Sequence, residues 1–386
     1  MVSFELATPT RILFGAGRVA EVPEAAAALG VRRALLVSGR SAARAEPLGA
    51  ALEARGIATV ALRVGGEPTV DLVREGTAAA QGARCDGVVA LGGGSALDAG
   101  KAIAALAANG GDPLDYLEVV GRGRPLASPA LPFVAIPTTA GTGSEVTRNA
   151  VLGVPESGVK ASLRSPLMLA RLALVDPDLL AGVPRPVLAA SGLDALAQLV
   201  EPWLSARANP VTDALAREGI RRSARSLRVA VERGPGADER EDLAVASLFG
   251  GLCLANAGLG AVHGFAAPAG AMFEAPHGAV CAALLVAALE VNLRALRDRA
   301  PGSAAAARFA DLSRWVTGSA DATAEDGLAW FQDLCRALDV RGLSAFGMTR
   351  ADVPALVERA KAASSMRANP IALTDGELTE IAERSL

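Results

Sequence analysis

Several residue types that mark common functional classes are scarce in this chain. Its 386 residues include only three lysines and the formal net charge is −3, which argues against a surface that binds a nucleic-acid backbone. Four cysteines, Cys85, Cys253, Cys281 and Cys335, are scattered without a CxxC pair. That pattern favours buried, reduced thiols over a disulfide framework or a zinc knuckle. The longest apolar run, 279–289, is about half of the roughly twenty residues that a bilayer crossing needs.

The amino-terminal sequence also lacks the basic region followed by an apolar region that is typical of a secretory signal. We therefore expect a soluble, cytoplasmic protein. Apolar residues make up 51% of the chain and charged residues 20%, which excludes a disordered chain and predicts a large hydrophobic core. The length is sufficient for two domains.

The first half alternates short apolar runs with amphipathic stretches. Strands are predicted at 33–39, 58–64, 87–91 and 133–136, and helices at 42–55, 70–82 and 96–108. This alternation predicts an α/β domain with a Rossmann-like parallel sheet over residues 1–180. After the proline-rich segment 176–186, helical periodicity predominates, which predicts an all-helical domain over 181–386 and a cleft between the two. Its predicted helices are 186–206, 210–232, 239–257, 279–297, 304–316, 324–338 and 350–364, with a last one capped by Thr374 and Glu377.

Two loops that follow predicted strands are rich in glycine and hydroxyl groups. The first reads Gly92-Gly93-Gly94-Ser95 and opens a helix, where backbone N–H groups and the helix dipole favour a pyrophosphate. It matches neither GxGxxG nor a Walker A loop. A tight strand-to-helix turn is the alternative explanation, and three consecutive glycines favour pyrophosphate binding over it. The second loop, 137–145, contains Thr138, Thr139, Thr142 and Ser144, whose hydroxyls can hydrogen-bond a ribose or a phosphate.

With these loops in place, the chain resembles the iron-containing (group III) alcohol dehydrogenase family of the dehydroquinate-synthase-like superfamily. The resemblance covers nearly the whole chain and includes GGGSALDAGKAIA, PTTAGTGSEVT, LALVDPDLL, VHGFAAP and APHGAV. It implies an amino-terminal domain that binds NAD or NADP, and a helical catalytic domain that holds a divalent metal, iron or zinc, which polarises the substrate oxygen. The motifs imply these cofactor contacts: Gly93, Gly94, Ser95, Thr138, Thr139, Thr142, Ser144 and Lys160.

The chain departs from the family pattern at the metal site. The family's paired aspartate and histidine correspond to Asp194 and Gln198, which share one helix face at i and i+4. The later ligand positions keep His263 and His277, the only two histidines in the chain. A further family histidine is replaced by Ala267, and another is missing from the stretch 285–287. The resemblance thus implies a metal set of Asp194, Gln198, His263 and His277, and catalytic roles for Asp194 and both histidines.

Cofactor preference can be inferred from the end of the strand before Gly39. A carboxylate at that position would bind the ribose 2′-OH of NAD and repel a 2′-phosphate. Gly39 removes the repulsion, and Arg40 or Ser41 could bind the phosphate, so we expect NADPH to be used at least as well as NADH.

Three hypotheses for function remain open at this point. The first is an NAD(P)-dependent alcohol dehydrogenase or aldehyde/ketone reductase with an atypical metal site. The second is a metal-free reductase in which a histidine donates the proton, and the third is a nucleotide-binding pseudoenzyme. The expected substrate is a small neutral alcohol or aldehyde, since Trp203, Phe265, Met272 and Phe273 near the histidines are apolar. We expect a homodimer or larger assembly, and neither nucleic acid nor membrane as a partner.

Overall fold

A computed structural model describes residues 3–386 and divides them into two compact units. The sheet unit contains Ala7–Thr139 and Gly143–Ala181. The helical unit contains Gly182–Leu386, the segment Ala140–Thr142 and residues 3–6.

The sheet unit is built on six parallel strands. Residues 3–386 form eight strands: β1 Ile12–Phe14, β2 Arg33–Ser38, β3 Ala58–Arg63, β4 Gly87–Gly92, β5 Phe133–Pro137, β6 Asn149–Val154, β7 Val159–Arg164 and β8 Leu172–Val175. The six-stranded sheet has the order β1-β8-β5-β4-β2-β3, and every neighbouring pair in it is parallel. β6 and β7 form a separate antiparallel hairpin. The predicted Rossmann-like sheet is confirmed.

Five helices belong to the sheet unit: α1 Val22–Ala28, α2 Ala42–Ala54, α3 Val70–Gly82, α4 Gly94–Asn109 and α5 Pro113–Tyr116. Apolar cores form on both faces of the sheet. In β2, Leu35 and Val37 point into one core, whereas Ala34 and Leu36 point into the other. Because both faces are buried, β2 reads as a continuous apolar run without polar alternation.

The strand order places a topological switch point between β2 and β4. The chain proceeds from β2 outward to β3, and then returns to β4 on the other side of β2 before continuing to β5. The carboxyl ends of β2 and β4 therefore border a crevice, which is where open parallel sheets bind ligands.

The helical unit contains nine α-helices and no β-strand among the residues that the structure describes. They are α6 Arg185–Leu204, α7 Pro210–Arg233, α8 Ala237–Ala257, α9 Ala261–Met272, α10 His277–Arg299, α11 Ala304–Thr317, α12 Ala324–Ala337, α13 Val353–Ala362 and α14 Asp375–Arg384. The expected all-helical second half is confirmed. The cap of α14 is present, since Thr374 and Glu377 form a capping box.

Some elements were absent from the sequence prediction. The strands β1 and β8 have only three and four residues, and the hairpin of β6 and β7 has a mixed sequence. α9 was missed because its sequence is rich in alanine and glycine, is buried along most of its length and contains Pro268, so no amphipathic period marks it.

Among the residues that the structure describes, one helix, α10, is long and apolar enough to span a bilayer by length and composition alone. Of its most apolar 18-residue window, 72% is buried inside the protein, as in the core helix of a soluble protein. The helix is longer than the apolar run 279–289 because it continues through the more polar stretch 290–299.

Candidate active site

Asp194 and Gln198 lie one turn apart in the middle of α6, a helix buried along most of its length. Both side chains are almost completely buried. The Gln198 Nε2 group donates to the carbonyl oxygen of Gly141 at 3.3 Å, and its Oε1 atom has no hydrogen-bond partner among the described residues. A buried acceptor without a hydrogen bond destabilises the folded protein. A ligand that bound this oxygen would remove that cost.

His263 lies in the first turn of α9, where a second carboxylate holds it. The Nδ1 atom of His263 is 2.6 Å from Oε2 of Glu201, while Oε1 of Glu201 accepts from the backbone N–H of Val262 at 2.7 Å. A carboxylate accepts hydrogen bonds, so Nδ1 of His263 carries the proton in this contact. The other ring nitrogen, Nε2, faces Asp194. The distance from Nε2 of His263 to Oδ1 of Asp194 is 3.2 Å.

His277 is the first residue of α10, and Cys281 follows one turn later. Nε2 of His277 lies 3.6 Å from Oδ1 of Asp194 and 3.6 Å from Sγ of Cys281. The same sulfur lies 3.7 Å from Nε2 of His263. The Cys281 thiol is fully buried, whereas the imidazole of His277 is partly exposed.

The buried groups of this cluster stabilise positive charge placed among them. Burial disfavours the Asp194 carboxylate, but His277, His263 and Gln198 outweigh burial and lower its pKa to about 2. Burial likewise disfavours protonated His277, yet Cys281 and Asp194 raise its pKa to about 9. Burial opposes protonation of His263 as well, and Cys281, Glu201 and Asp194 raise its pKa well above the ordinary value. Protons on the imidazoles or a bound cation can supply the charge.

Asp194, His263, His277 and Cys281 each direct one potential ligand atom to a common point. These atoms all lie within 4.8 Å of one another. Carboxylate, imidazole and thiolate are the donor types that bind zinc and related transition metals. The residues present therefore fit a divalent metal ion.

A second group of predicted site residues lies at the switch point of the sheet unit. The Gly92 carbonyl accepts from the N–H of Thr138 at 2.9 Å, and the N–H of Gly39 donates to the Leu91 carbonyl at 3.3 Å. A Cβ on Gly92 would lie 2.6 Å from that of Ala96, so glycine is required for this close turn from β4 into α4. The structure thus brings the ends of β2, β4 and β5 together.

The loop after β4 supplies the amino terminus of α4. Gly93 is the N-cap of α4 and makes no side-chain cap, and backbone N–H groups at the start of a helix can bind an anion. Gly93, Gly94 and Ser95 are half-buried, and Thr139 lies against Gly93, since a Cβ there would be 3.2 Å from Oγ1 of Thr139.

The other predicted cofactor contacts have different surroundings. Ser144 lies in a buried network in which Nζ of Lys101 donates to its Oγ at 3.0 Å and to Oγ1 of Thr147 at 2.9 Å. Lys160, on β7, forms an ion pair with Glu67. Arg40 is exposed and its Nε donates to the Gly65 carbonyl at 2.7 Å.

The last two predicted cofactor contacts are Ser41 and Thr142. Ser41 is exposed at the start of α2, where its side chain makes no capping hydrogen bond. Thr142 belongs to the segment that groups with the helical unit.

Comparisons with known proteins agree with this arrangement. Sequence profiles described as iron-containing alcohol dehydrogenase and as the carboxy-terminal part of the Fe-containing alcohol dehydrogenase family match residues 9–177 and 188–386. The chain belongs to the iron-containing alcohol dehydrogenase family. It is 36% identical to 1,3-propanediol dehydrogenase of Klebsiella pneumoniae, over 98% of this chain and 97% of the relative. It is 35% identical to choline dehydrogenase of Bacillus subtilis, over 92% and 87% of the two chains.

Solved structures place this iron-containing alcohol dehydrogenase in the same fold. A crystal structure of 1,3-propanediol oxidoreductase superposes with a TM-score of 0.91 at 34% identity, with complete coverage of both chains. The protein is accordingly an NAD(P)-dependent oxidoreductase that acts on CH–OH groups, in a family that uses iron or another metal.

Two site residues of this family member were missed from the sequence. Cys281 follows His277 by four residues and Glu201 follows Asp194 by seven, and this helical spacing places each of them on the same face as a predicted ligand. The four cysteines are unpaired as predicted, but Cys85 and Cys335 are only half-buried.

Two of the four apolar residues expected to line a substrate pocket, Phe265 and Trp203, lie in the core instead. Phe265 is fully buried, and Trp203 packs against Trp315 with ring centroids 4.5 Å apart and beneath the guanidinium of Arg308. Both residues are core residues, and only Met272 and Phe273 are half-buried.

Proposed function

We propose that this protein is an NADPH-accepting alcohol dehydrogenase or aldehyde reductase whose helical unit holds a divalent metal through Asp194, His263 and His277. The convergence of their ligand atoms within 4.8 Å carries the proposal. Residues 1–180 would form the dinucleotide-binding domain and residues 181–386 the catalytic domain. The unpartnered Oε1 atom of Gln198 would add a weak fourth contact.

The residues of the site have separable tasks. Glu201 holds the proton on Nδ1 of His263, and Nε2, which is directed at Asp194, could bind a metal in place of a second proton. The Asp194 carboxylate stays ionised and fixes both imidazoles through contacts of 3.2 Å and 3.6 Å. A bound divalent cation supplies Lewis-acid polarisation of the substrate oxygen. His277 is the partly exposed member of the set, so a substrate would approach the proposed metal from the side of His277.

The proposed cofactor contacts lie at the carboxyl ends of β2, β4 and β5. NAD(P) bound there supplies or accepts the hydride. The N–H groups at the start of α4 would bind the pyrophosphate, with Ser95, Thr138 and Thr139 as hydroxyl partners. Gly39 offers no carboxylate against a 2′-phosphate, and exposed Arg40 lies next to it. Thr142, Ser144 and Lys160 remain proposed contacts on the family motif alone.

The proposed substrate is a small neutral alcohol or carbonyl compound. One relative is named for 1,3-propanediol, which is a small neutral alcohol. Half-buried Met272 and Phe273, between the two histidines in sequence, would present apolar surface. We expect a cytoplasmic homodimer or larger oligomer that binds neither nucleic acid nor membrane.

One experiment tests this function directly. NADPH and NADH oxidation would be measured over a panel of small aldehydes for the wild type and for His277→Ala. We expect turnover with NADPH, and a loss in the variant that is far larger than any weakening of NADPH binding by fluorescence titration. Unchanged turnover in His277→Ala, with the variant folded, would refute the assignment.

A metal-free reductase of the same fold is the second candidate. One observation favours it: the contact of His263 with both Glu201 and Asp194 is also what a doubly protonated imidazole would make. In that case His277 would donate the proton to the substrate oxygen directly. Turnover that persists after complete metal removal would select this candidate.

A further inference from the structure

We infer that Cys281 is a metal ligand, and that the site binds zinc as a four-donor set of Asp194, His263, His277 and Cys281. This inference rests on the proposed metal function of the site. It assigns the fourth donor to a residue outside the expected set of Asp194, Gln198, His263 and His277. Cys281 would replace the imidazole that is lost at Gln198.

The spacing of the donor atoms supports four-coordinate binding. Tetrahedral zinc, with Zn–N of about 2.0–2.1 Å and Zn–S of about 2.3 Å, separates nitrogen and sulfur ligands by about 3.6 Å. The sulfur of Cys281 lies 3.6 Å from Nε2 of His277 and 3.7 Å from Nε2 of His263. Nitrogen and oxygen ligands are expected about 3.4 Å apart, and the observed distances to Asp194 are 3.2 Å and 3.6 Å.

The helix geometry fixes this arrangement before any ion binds. His277 and Cys281 are one turn apart on α10, so both side chains leave the same face of the helix. The sulfur is fully buried in the helical unit, and its polar neighbours include Nε2 of His277 and Nε2 of His263. A buried thiol can pack as a small apolar group, but here it lies among a buried carboxylate and two imidazoles that point at the same location.

Binding would exchange the thiol proton for the metal: the S–H bond breaks, a metal–sulfur bond forms and the proton passes to solvent. The charges of one carboxylate and one thiolate then balance those of a divalent ion. Thiolate ligation favours zinc over metals that prefer oxygen, such as magnesium and manganese. A substrate oxygen would enter as a fifth donor, which zinc accommodates.

Cobalt substitution and zinc affinity test the inference. Metal-free protein would be titrated with Co(II), and Zn(II) binding would be measured by competition with a chromophoric chelator, for the wild type, Cys281→Ser and Cys253→Ser. Cys253 is a matched control, since it is equally buried on α8 and its thiol donates to the Thr212 carbonyl at 3.4 Å, away from the metal donors.

We expect thiolate-to-cobalt charge-transfer absorption in the wild type and Cys253→Ser, and none in Cys281→Ser. Loss of a residue that only hydrogen-bonds a metal ligand costs about 10–100-fold in affinity, so loss of a direct ligand should weaken zinc binding by at least about 100-fold. X-ray absorption of the zinc-loaded wild type should show one sulfur at about 2.3 Å, a readout that does not depend on how any variant folds.

The possible outcomes separate the two proposals. Zinc surrounded only by nitrogen and oxygen, with Cys281→Ser binding as tightly as the wild type, would overturn the role of Cys281 and leave the metal function standing. A wild type that binds neither zinc nor cobalt would overturn both.

Discussion

The substitution Glu201→Gln tests the proposal that Glu201 orients His263 so that its Nε2 atom can bind a metal. The Glu201 carboxylate accepts two hydrogen bonds with two oxygens, one from Nδ1 of His263 at 2.6 Å and one from the Val262 N–H at 2.7 Å. A glutamine of the same shape has only one oxygen. Its NH₂ group must face one of the two donors, so one buried N–H loses its acceptor.

The structure sets the size of both effects. A buried donor left unsatisfied costs about 1–3 kcal/mol of the free energy of unfolding. Loss of the carboxylate behind a metal-binding imidazole costs about 10–100-fold in metal affinity. We therefore expect Glu201→Gln to lower the stability of the metal-free protein and, separately, to weaken zinc binding by that factor. Urea unfolding without metal and chelator competition with zinc measure the two quantities.

Asn369→Ala provides the control for this prediction. The Oδ1 atom of Asn369 accepts from the Ala261 N–H at 3.0 Å, so it caps the same turn of α9 without a hydrogen bond to His263. We expect this variant to lose stability but to keep its zinc affinity within about threefold of the wild type. Equal losses of affinity in the two variants would mean that Glu201 acts only through the stability of α9, which would refute the reasoning.

Three further predictions concern other parts of the molecule. Gly39→Asp should shift the cofactor preference from NADPH toward NADH in steady-state kinetics, because the new carboxylate repels a 2′-phosphate. A Cβ at position 39 would meet no atom within 4 Å, so the substitution fits the fold. An unchanged ratio of NADPH to NADH activity would contradict the placement of the 2′-phosphate at Gly39. Gln198→His should raise the zinc content of purified protein, since an imidazole is a better ligand than an amide oxygen, and no gain would mean that position 198 does not face the metal. Burial raises the pKa of Glu145 to about 7 against the attraction of Lys101, so the folded state binds this proton more tightly than the unfolded chain. The free energy of unfolding should then fall by about 3 kcal/mol at most as the pH rises from about 4.5 to about 7. Urea unfolding across that pH range measures this decrease, which should be absent in Glu145→Gln.

The elements that position the cofactor loops could be predicted from the sequence because burial on both faces leaves a clear signal. Residues 34–37 of β2 and 88–91 of β4 are continuous apolar runs; β2 is followed by Gly39, and β4 ends at Gly92-Gly93-Gly94. The order of the strands could not be predicted, since pairing between distant segments leaves no local pattern. The switch point between β2 and β4 therefore became visible only in the structure.

The candidate metal site shows a similar division. Asp194, His263 and His277 were identified from motifs, and the structure brings them together. Cys281 and Glu201 were passed over because each looks like an ordinary residue of a buried helix. Their importance depends on α9 packing beside α6 and α10, and α9 itself has no periodic signal in the sequence.

Metal dependence of turnover tests the central claim most directly. The protein would be stripped with chelator, shown to be metal-free by elemental analysis, and assayed for NADPH-dependent aldehyde reduction before and after addition of one equivalent of Zn(II) or Fe(II). We predict that the metal-free protein is inactive and that activity returns in proportion to bound metal, with saturation at one ion per chain. Full activity in protein with no detectable metal would contradict the account.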